Sequence, residues 1–133
     1  IPRVTYGDPE LASVGLTEEE ARAKHGKITI LRWQFAANDR AQTEARPAGL
    51  DKAVVGRGGR IPGASTVGAE AGDLLQPWIL AMEKGLGIGA LQATVLPYPT
   101  RGEVTKRAAG DYYKPKLFSP FTKKLVQFLA RLG

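Results

Sequence analysis

The sequence predicts an α+β fold, and three observations carry that prediction. β-branched and aromatic runs recur between Gly, Pro, Asn and Asp turn signals through the first half of the chain. Two of these runs, on either side of Gly58-Gly59, lie close enough to return as a β-hairpin from Val54 to Val67. Apolar residues at helical spacing, introduced by capping residues, fill much of the remainder and end in a C-terminal amphipathic helix.

A length of 133 residues fits one domain, large enough to bury roughly two-thirds of its unfolded surface. No run of eighteen apolar residues occurs, so no part of it reads as a transmembrane helix. Ile1 heads the chain and the sole methionine is Met82, so the expectation is a piece of a longer protein or a processed product. The absence of cysteine rules out disulfides, thiolate metal sites and a dithiol redox centre within this segment. His25 is the single histidine; beside Lys24 and Gly26 at a helix end, it reads as a structural partner of the terminal carbonyls. The net charge of +6 is uneven: residues 1–100 carry 11 Lys+Arg and 11 Asp+Glu, whereas residues 101–133 carry eight cations against Glu103 and Asp111. The basicity belongs to the tail.

In chain order, Arg3–Tyr6 and Leu11–Gly15 read as short strands around a Gly-Asp-Pro turn. Thr17 and Glu20 form a capping box, and three successive glutamates give an acidic, solvated first turn to a helix that ends near His25, with Gly26 beyond it. Lys27–Ala37 reads as a strand, broken by an Asn38-Asp39-Arg40-Ala41 turn in which Arg40 is placed to pair with a carboxylate. A loop over 44–49 precedes a strand at Leu50–Gly56 and its return at Arg60–Val67. From Gly68 to Lys84, Leu74, Leu75, Trp78, Ile79, Ala81 and Met82 make a broad apolar face, with a kink expected at Pro77 and Gly85 as the stop. A short helix is expected at Ala90–Thr94. The segment after Gly110 should be irregular over Asp111–Phe118. Ser119-Pro120 then opens a helix that places Phe121, Leu125, Phe128, Leu129 and Leu132 on one face, with Lys123, Lys124, Gln127 and Arg131 largely opposite. Such a stripe packs on the domain, on a second subunit, or on a membrane surface.

Two glycine-rich stretches imitate phosphate-binding loops and fail. Gly58 to Ser65 fits the G-x-x-x-x-G-x-S outline, but Ala64 stands where the lysine is needed and Pro62 removes an amide donor. Gly85-Leu-Gly-Ile-Gly89 follows a helix instead of a strand.

The stretch richest in chemistry is Leu96-Pro97-Tyr98-Pro99-Thr100-Arg101-Gly102-Glu103. Two prolines hold Tyr98 on a stiff segment, and Tyr98-Pro99 is a candidate cis bond. Thr100 and Glu103 have capping-box spacing for a helix starting at Arg101 and running to about Ala109, with Gly110 ending it. One reading is a rigid turn into a capped helix. The other is a phenol and a carboxylate presented to something outside the domain.

No single element is specific, but their order is: "RVTYGDPELASVGLTEEEAR", "FAANDRAQTE", "GRGGRIPGASTVGAEAGDLL" and "PYPTRGE". This series resembles the C-terminal dimerisation domain of the pyridine nucleotide-disulfide oxidoreductases, over residues 1–110, with 111–133 left as a basic extension. The resemblance implies an antiparallel β-sheet with flanking helices, and a homodimer. It implies a parent FAD-dependent NAD(P)H oxidoreductase whose FAD and NAD(P) domains lie elsewhere, so that this segment alone binds neither cofactor and is inactive. It also implies that Tyr98 and Pro99 approach the partner subunit's flavin and active disulfide, that Tyr98 and Glu103 are catalytic, and that no metal is held. A cytoplasmic location goes with this reading, membrane-peripheral if the tail engages lipid.

The usual motif of that family at the turn is His-Pro-Thr-x-x-Glu. Here Tyr98-Pro99-Thr100-Arg101-Gly102-Glu103 keeps the carboxylate and replaces the histidine. A phenol titrates near pKa ~10, so it shuttles protons poorly at neutral pH while remaining a hydrogen-bond donor. Tyrosine at this place resembles the mercuric-reductase-like branch, without the paired C-terminal cysteines typical of true mercuric reductases. The competing expectation is a stand-alone basic module whose tail binds a membrane surface or nucleic acid; no nucleic-acid fold motif matches, which makes nucleic acid the less favoured partner.

Overall fold

The computed structural model describes residues 1–131. Five strands form one antiparallel sheet in the order β1-β2-β5-β4-β3: β1 Arg3–Thr5, β2 Glu10–Gly15, β3 Thr29–Gln34, β4 Gly49–Val55 and β5 Gly63–Gly68. The expected hairpin is its centre, with Leu50 opposite Val67 and Val54 opposite Gly63. The turn runs through Gly58 (φ 69°) and Gly59 (φ 80°), a conformation that costs an L side chain energy and glycine almost none. β2 and β3 then pair on either side of the hairpin.

Among the described residues eight helices flank the sheet: α1 Glu18–His25, α2 Asp39–Thr43, α3 Ala71–Leu74, α4 Gln76–Glu83, α5 Ile88–Ala93, α6 Glu103–Asp111, α7 Lys114–Leu117 and α8 Pro120–Ala130. At α1 the capping box is complete: Glu20 N–H donates to Thr17 Oγ1 at 3.2 Å, and Thr17 N–H donates to Glu20 Oε2 at 2.8 Å. The apolar face expected over 68–84 is present but broken at Leu75, where α3 ends; Pro77 occupies the first turn of α4, where its missing N–H costs nothing. Trp78 and Leu75 are fully buried from this face, against Val55, Leu31, Ile88 and Ala109.

Four expectations are corrected. The strand begun at Lys27 ends at Gln34, because Phe35–Ala37 winds into a 3-10 turn. That turn buries Phe35 completely, its ring against Gly49 and Gly68, which face each other in the ladder; a Cβ on either would stand 2.6–2.7 Å from ring atoms. Asn38–Ala41 is not a simple turn but the start of α2, with Asn38 as N-cap accepting from the Ala41 N–H at 2.9 Å. The helix after the Tyr98 turn starts at Glu103, not Arg101, and passes Gly110 to Asp111. The segment over 111–118 is not irregular: α7 occupies it, started by Pro115 in its first turn and steadied by the Lys114–Asp111 ion pair. At the C-terminus, Ser119 caps α8 by accepting from the Thr122 N–H at 3.2 Å; Leu132, expected on its apolar face, lies outside the described residues.

A second, smaller core unites Phe35, Ala41, Leu74 and Val104, which sit respectively in the 3-10 turn, α2, α3 and α6. It fixes α2 and α6 beside each other. The Tyr98 turn runs between them.

Candidate functional site

The Tyr98-Pro99 bond is cis, and the turn leaves Tyr98 67% exposed. Three groups of the α2 region hold this turn. Asn38 Nδ2 donates to the Thr100 carbonyl at 3.0 Å. Tyr98 Oη donates to Asp39 Oδ2 at 2.6 Å. Arg101, only 6% exposed, donates through Nε to Glu44 Oε2 at 2.6 Å, and its Nη2 approaches the same oxygen without hydrogen-bond alignment. Arg101 Nη1 has no protein partner. The buried guanidinium therefore depends on Glu44, which Arg40 also contacts.

These contacts explain why the helix starts late. The Thr100 hydroxyl points back to donate to the Pro97 carbonyl at 2.9 Å, and no side chain caps the helix start. Only half of the expected capping box remains, with Thr100 N–H donating to Glu103 Oε2 at 3.4 Å. Burying Arg101 against Glu44 holds residues 101 and 102 in turns, and regular helix begins at Glu103.

Tyr98 and Glu103 thus stand near one another without a hydrogen bond between them. Glu103 faces the Thr100 amide and Arg107, whose Nη2 is 3.7 Å from Oε1. Tyr98 is bound instead to Asp39. The Asp39 hydrogen bond, and after it the Asp39 charge, push the phenol above its ordinary pKa; Glu103 adds to the shift and Arg107 opposes it. The group consequently stays protonated at neutral pH. It offers a proton and lone pairs for hydrogen bonding, not a base. On Glu44 the effect is the reverse: Arg40 first, then Arg101, hold the carboxyl below the usual range.

Asn38, Asp39 and Glu44 were not singled out as site residues from sequence. They lie 62, 59 and 57 residues from their partners at the turn, and nothing local in "NDRAQTE" points there. Arg40, expected to find a carboxylate, does so within its own helix. A second unanticipated group is Asp51 in the central strand β4, completely buried, accepting from Thr66 Oγ1 at 2.6 Å and from Trp78 Nε1 at 3.1 and 3.2 Å. Burial raises its pKa to about 6, with both donors pulling the other way. An acid at the start of the strand run, two residues before Ala53-Val54-Val55, was the available signal.

His25 sits exposed at the end of α1. Of the two glycine-rich decoys, the first forms the β4–β5 turn and the start of β5, and the second joins α4 to α5. Their amides serve the turn and ladder instead of a phosphate cradle. Beside the turn, Pro77, Leu80, Leu86, Leu91, Leu96 and Thr105 line an open, mainly apolar cleft among α4, α5 and α6. Leu80 is 56% and Leu86 44% exposed.

Residues 1–109 match the family described as "Pyridine nucleotide-disulphide oxidoreductase, dimerisation domain". The chain is 37% identical over 114 residues to a dihydrolipoyl dehydrogenase of Rhizobium etli, covering 85% of this chain and 24% of that protein. It is 39% identical over 116 residues to a dihydrolipoyl dehydrogenase of Thermus scotoductus, covering 86% and 25% respectively. Among solved structures, the HOCl-induced flavoprotein disulfide reductase RclA from Escherichia coli superposes with a TM-score of 0.78 at 26% identity, over 83% of this chain and 26% of that one. LpdA from Mycobacterium tuberculosis gives the same TM-score at 22% identity, over 84% and 25%, and supports the fold. The chain spans about a quarter of the length of the curated relatives it matches.

Proposed function

The chain belongs to the pyridine nucleotide-disulphide oxidoreductase dimerisation-domain family, and from that premise we propose that it joins two copies of an FAD-dependent NAD(P)H oxidoreductase and completes the partner's active site. Residues 1–110 are the dimerisation domain in this reading, and residues 111–133 are an extension of it. The relatives are named as dihydrolipoyl dehydrogenases and the structural neighbour as a flavoprotein disulfide reductase. FAD and NAD(P)H are bound by other domains of the parent protein, because the glycine-rich stretches here are consumed by a hairpin and a helix junction. The apolar cleft around Leu80 and Leu86 supplies surface for the homodimer. Dependence on NAD(P)H fits a cytoplasmic enzyme, where that reductant is supplied.

One observation carries the site assignment: an exposed phenol is held at a fixed place by the Asp39 carboxylate at 2.6 Å, with its turn tied to the α2 region at two further points, by Asn38 and by Arg101–Glu44. Fixing a donor before the partner arrives removes ordering cost at the moment of reaction. FAD, bound by the partner, supplies the electron transfer. Tyr98 supplies a hydrogen bond to an anionic sulfur or substrate oxygen, and Pro99 shapes the edge beside it. Asp39 holds the phenol protonated, and Glu103 adds to the local negative potential. Because the phenol proton rests on Asp39, it turns outward only when a stronger acceptor draws it. This differs from an imidazole site, where the side chain itself takes the proton.

Tyr98→Phe in the intact enzyme should lower turnover about a hundredfold to a thousandfold while the dimer persists by analytical ultracentrifugation, the range for losing one positioned donor. Unchanged kinetics would remove Tyr98 from the active site. A monomeric gene product would remove the dimerisation reading itself.

A further inference from the structure

Beyond Asp111 the sequence has no acidic residue, while Lys114, Lys116, Lys123, Lys124 and Arg131 follow. The first two are engaged within the domain: Lys114 Nζ lies 5.6 Å from the centre of the Trp33 ring, and Lys116 Nζ 5.1 Å from that of Tyr112. Lys123 and Lys124 form no ion pair among the described residues. They sit on α8, none of whose residues is buried. Phe121 is 76% exposed, Phe128 59% and Leu129 56%, with Leu125 and Val126 exposed beside them.

The helix is nonetheless well defined. Its N-cap is Ser119, and the Thr122 hydroxyl donates to the Lys116 carbonyl at 2.7 Å, tying α8 to α7. With 3.6 residues per turn, Phe121, Leu125, Phe128 and Leu129 share one side, Lys123 and Gln127 lie largely opposite, and Lys124 flanks the apolar side. Eleven residues extend about 16 Å, roughly half of a bilayer's hydrocarbon thickness, so the helix can lie along a membrane but not cross it.

We propose that α8 is a peripheral membrane element that docks on an anionic lipid surface. The apolar face enters the boundary between headgroups and acyl chains, and Lys123 and Lys124 remain among the lipid phosphates. Charge complementarity selects this occupant. A second copy of α8 would cover the apolar face but leave Lys123 and Lys124 without an anionic partner, since no acid follows Asp111. A nucleic-acid backbone would satisfy the lysines but leave four large apolar side chains in water. An anionic bilayer supplies the negative charge and the apolar medium together. The inference stands on the tail alone and does not depend on the reductase reading.

The test is co-sedimentation of the complete gene product with phosphatidylcholine vesicles, with and without phosphatidylglycerol, at low and high salt. Binding should require phosphatidylglycerol and weaken with salt. Lys123→Gln/Lys124→Gln should lower the partition about thirtyfold, each surface cation counting for about a fivefold factor. Phe121→Ser/Phe128→Ser should abolish binding, and both variants should keep the wild-type unfolding midpoint because the altered side chains are exposed. Phe121→Trp should be quenched by brominated lipid. No vesicle binding overturns the proposal, as does equal binding to neutral and anionic vesicles. Loss of self-association in Phe121→Ser/Phe128→Ser, without vesicle binding by the wild type, assigns the face to a second copy. Salt-sensitive binding to duplex DNA without vesicle binding assigns it to nucleic acid.

Discussion

Two aspartates in this domain make the same kind of bond in different media. Asp51, in the central strand, accepts from the Trp78 indole and the Thr66 hydroxyl; Asp39, at the start of α2, accepts from the Tyr98 phenol. Asp51 is completely buried, and loss of hydration pushes its own pKa up to about 6. At the exposed pair it is the tyrosine that moves, pushed up by Asp39. The geometry of a carboxylate on an aromatic donor therefore does not set its role. Out of water it is a structural joint between sheet and helix that taxes stability when charged. In water it is a way to orient and protonate a surface phenol.

That contrast breaks most directly at Asp51. Between its unfolded value of 3.8 and its folded value of about 6, the folded state holds a proton that the unfolded state has lost. Stability therefore falls as pH rises through this window, is unpenalised below it, and carries the full penalty above it. The loss amounts to about 3 kcal/mol for a shift of this size. Asp51→Asn should flatten the dependence, with the difference read from chemical unfolding at several pH values between about 4 and about 7. Parallel curves for the two proteins would show that the Asp51 charge is tolerated in the sheet.

The exposed pair depends on its clasp, and Asn38 is where that dependence can be measured. Asn38→Ala removes both the α2 cap and the bond to the Thr100 carbonyl, at about 2 kcal/mol for a cap plus a partly buried hydrogen bond. Asn38→Asp keeps the cap but loses the donor, and should cost about half as much. A cost near zero for Asn38→Asp would mean that the turn does not lean on α2, and equal costs would mean that the cap contributes nothing.

The smallest effect sharpens the comparison instead of breaking it. Asp39→Asn should leave the unfolding midpoint nearly unchanged, since its surroundings are hydrated, yet bring the Tyr98 titration down towards that of an ordinary tyrosine. The pH dependence of the tyrosine Cζ resonance reports this directly. An unmoved midpoint would detach Asp39 from the control of Tyr98.

The sequence by itself determined whatever depends on neighbours within a few residues. The Thr17–Glu20 capping box, the Gly58-Gly59 turn, the break at Pro77 and the Ser119-Pro120 helix start are interactions across one to five positions, so composition and spacing reveal them. The ordered blocks also carried the family, and with it the antiparallel sheet. Where a local rule met a distant demand, it failed: Thr100 and Glu103 have capping-box spacing, yet the helix waits until Glu103 because Arg101 is drawn to Glu44, 57 residues away. The same holds for Asn38 and Asp39, legible only as turn formers, and for Asp51, whose partners arrive from β5 and α4. Only the tertiary structure decided which carboxylates were buried and which donors reached them. The reason is physical: a hydrogen bond across some sixty residues is set by the packing of Phe35, Ala41, Leu74 and Val104 into one small core, and no local pattern encodes where that packing brings two segments together.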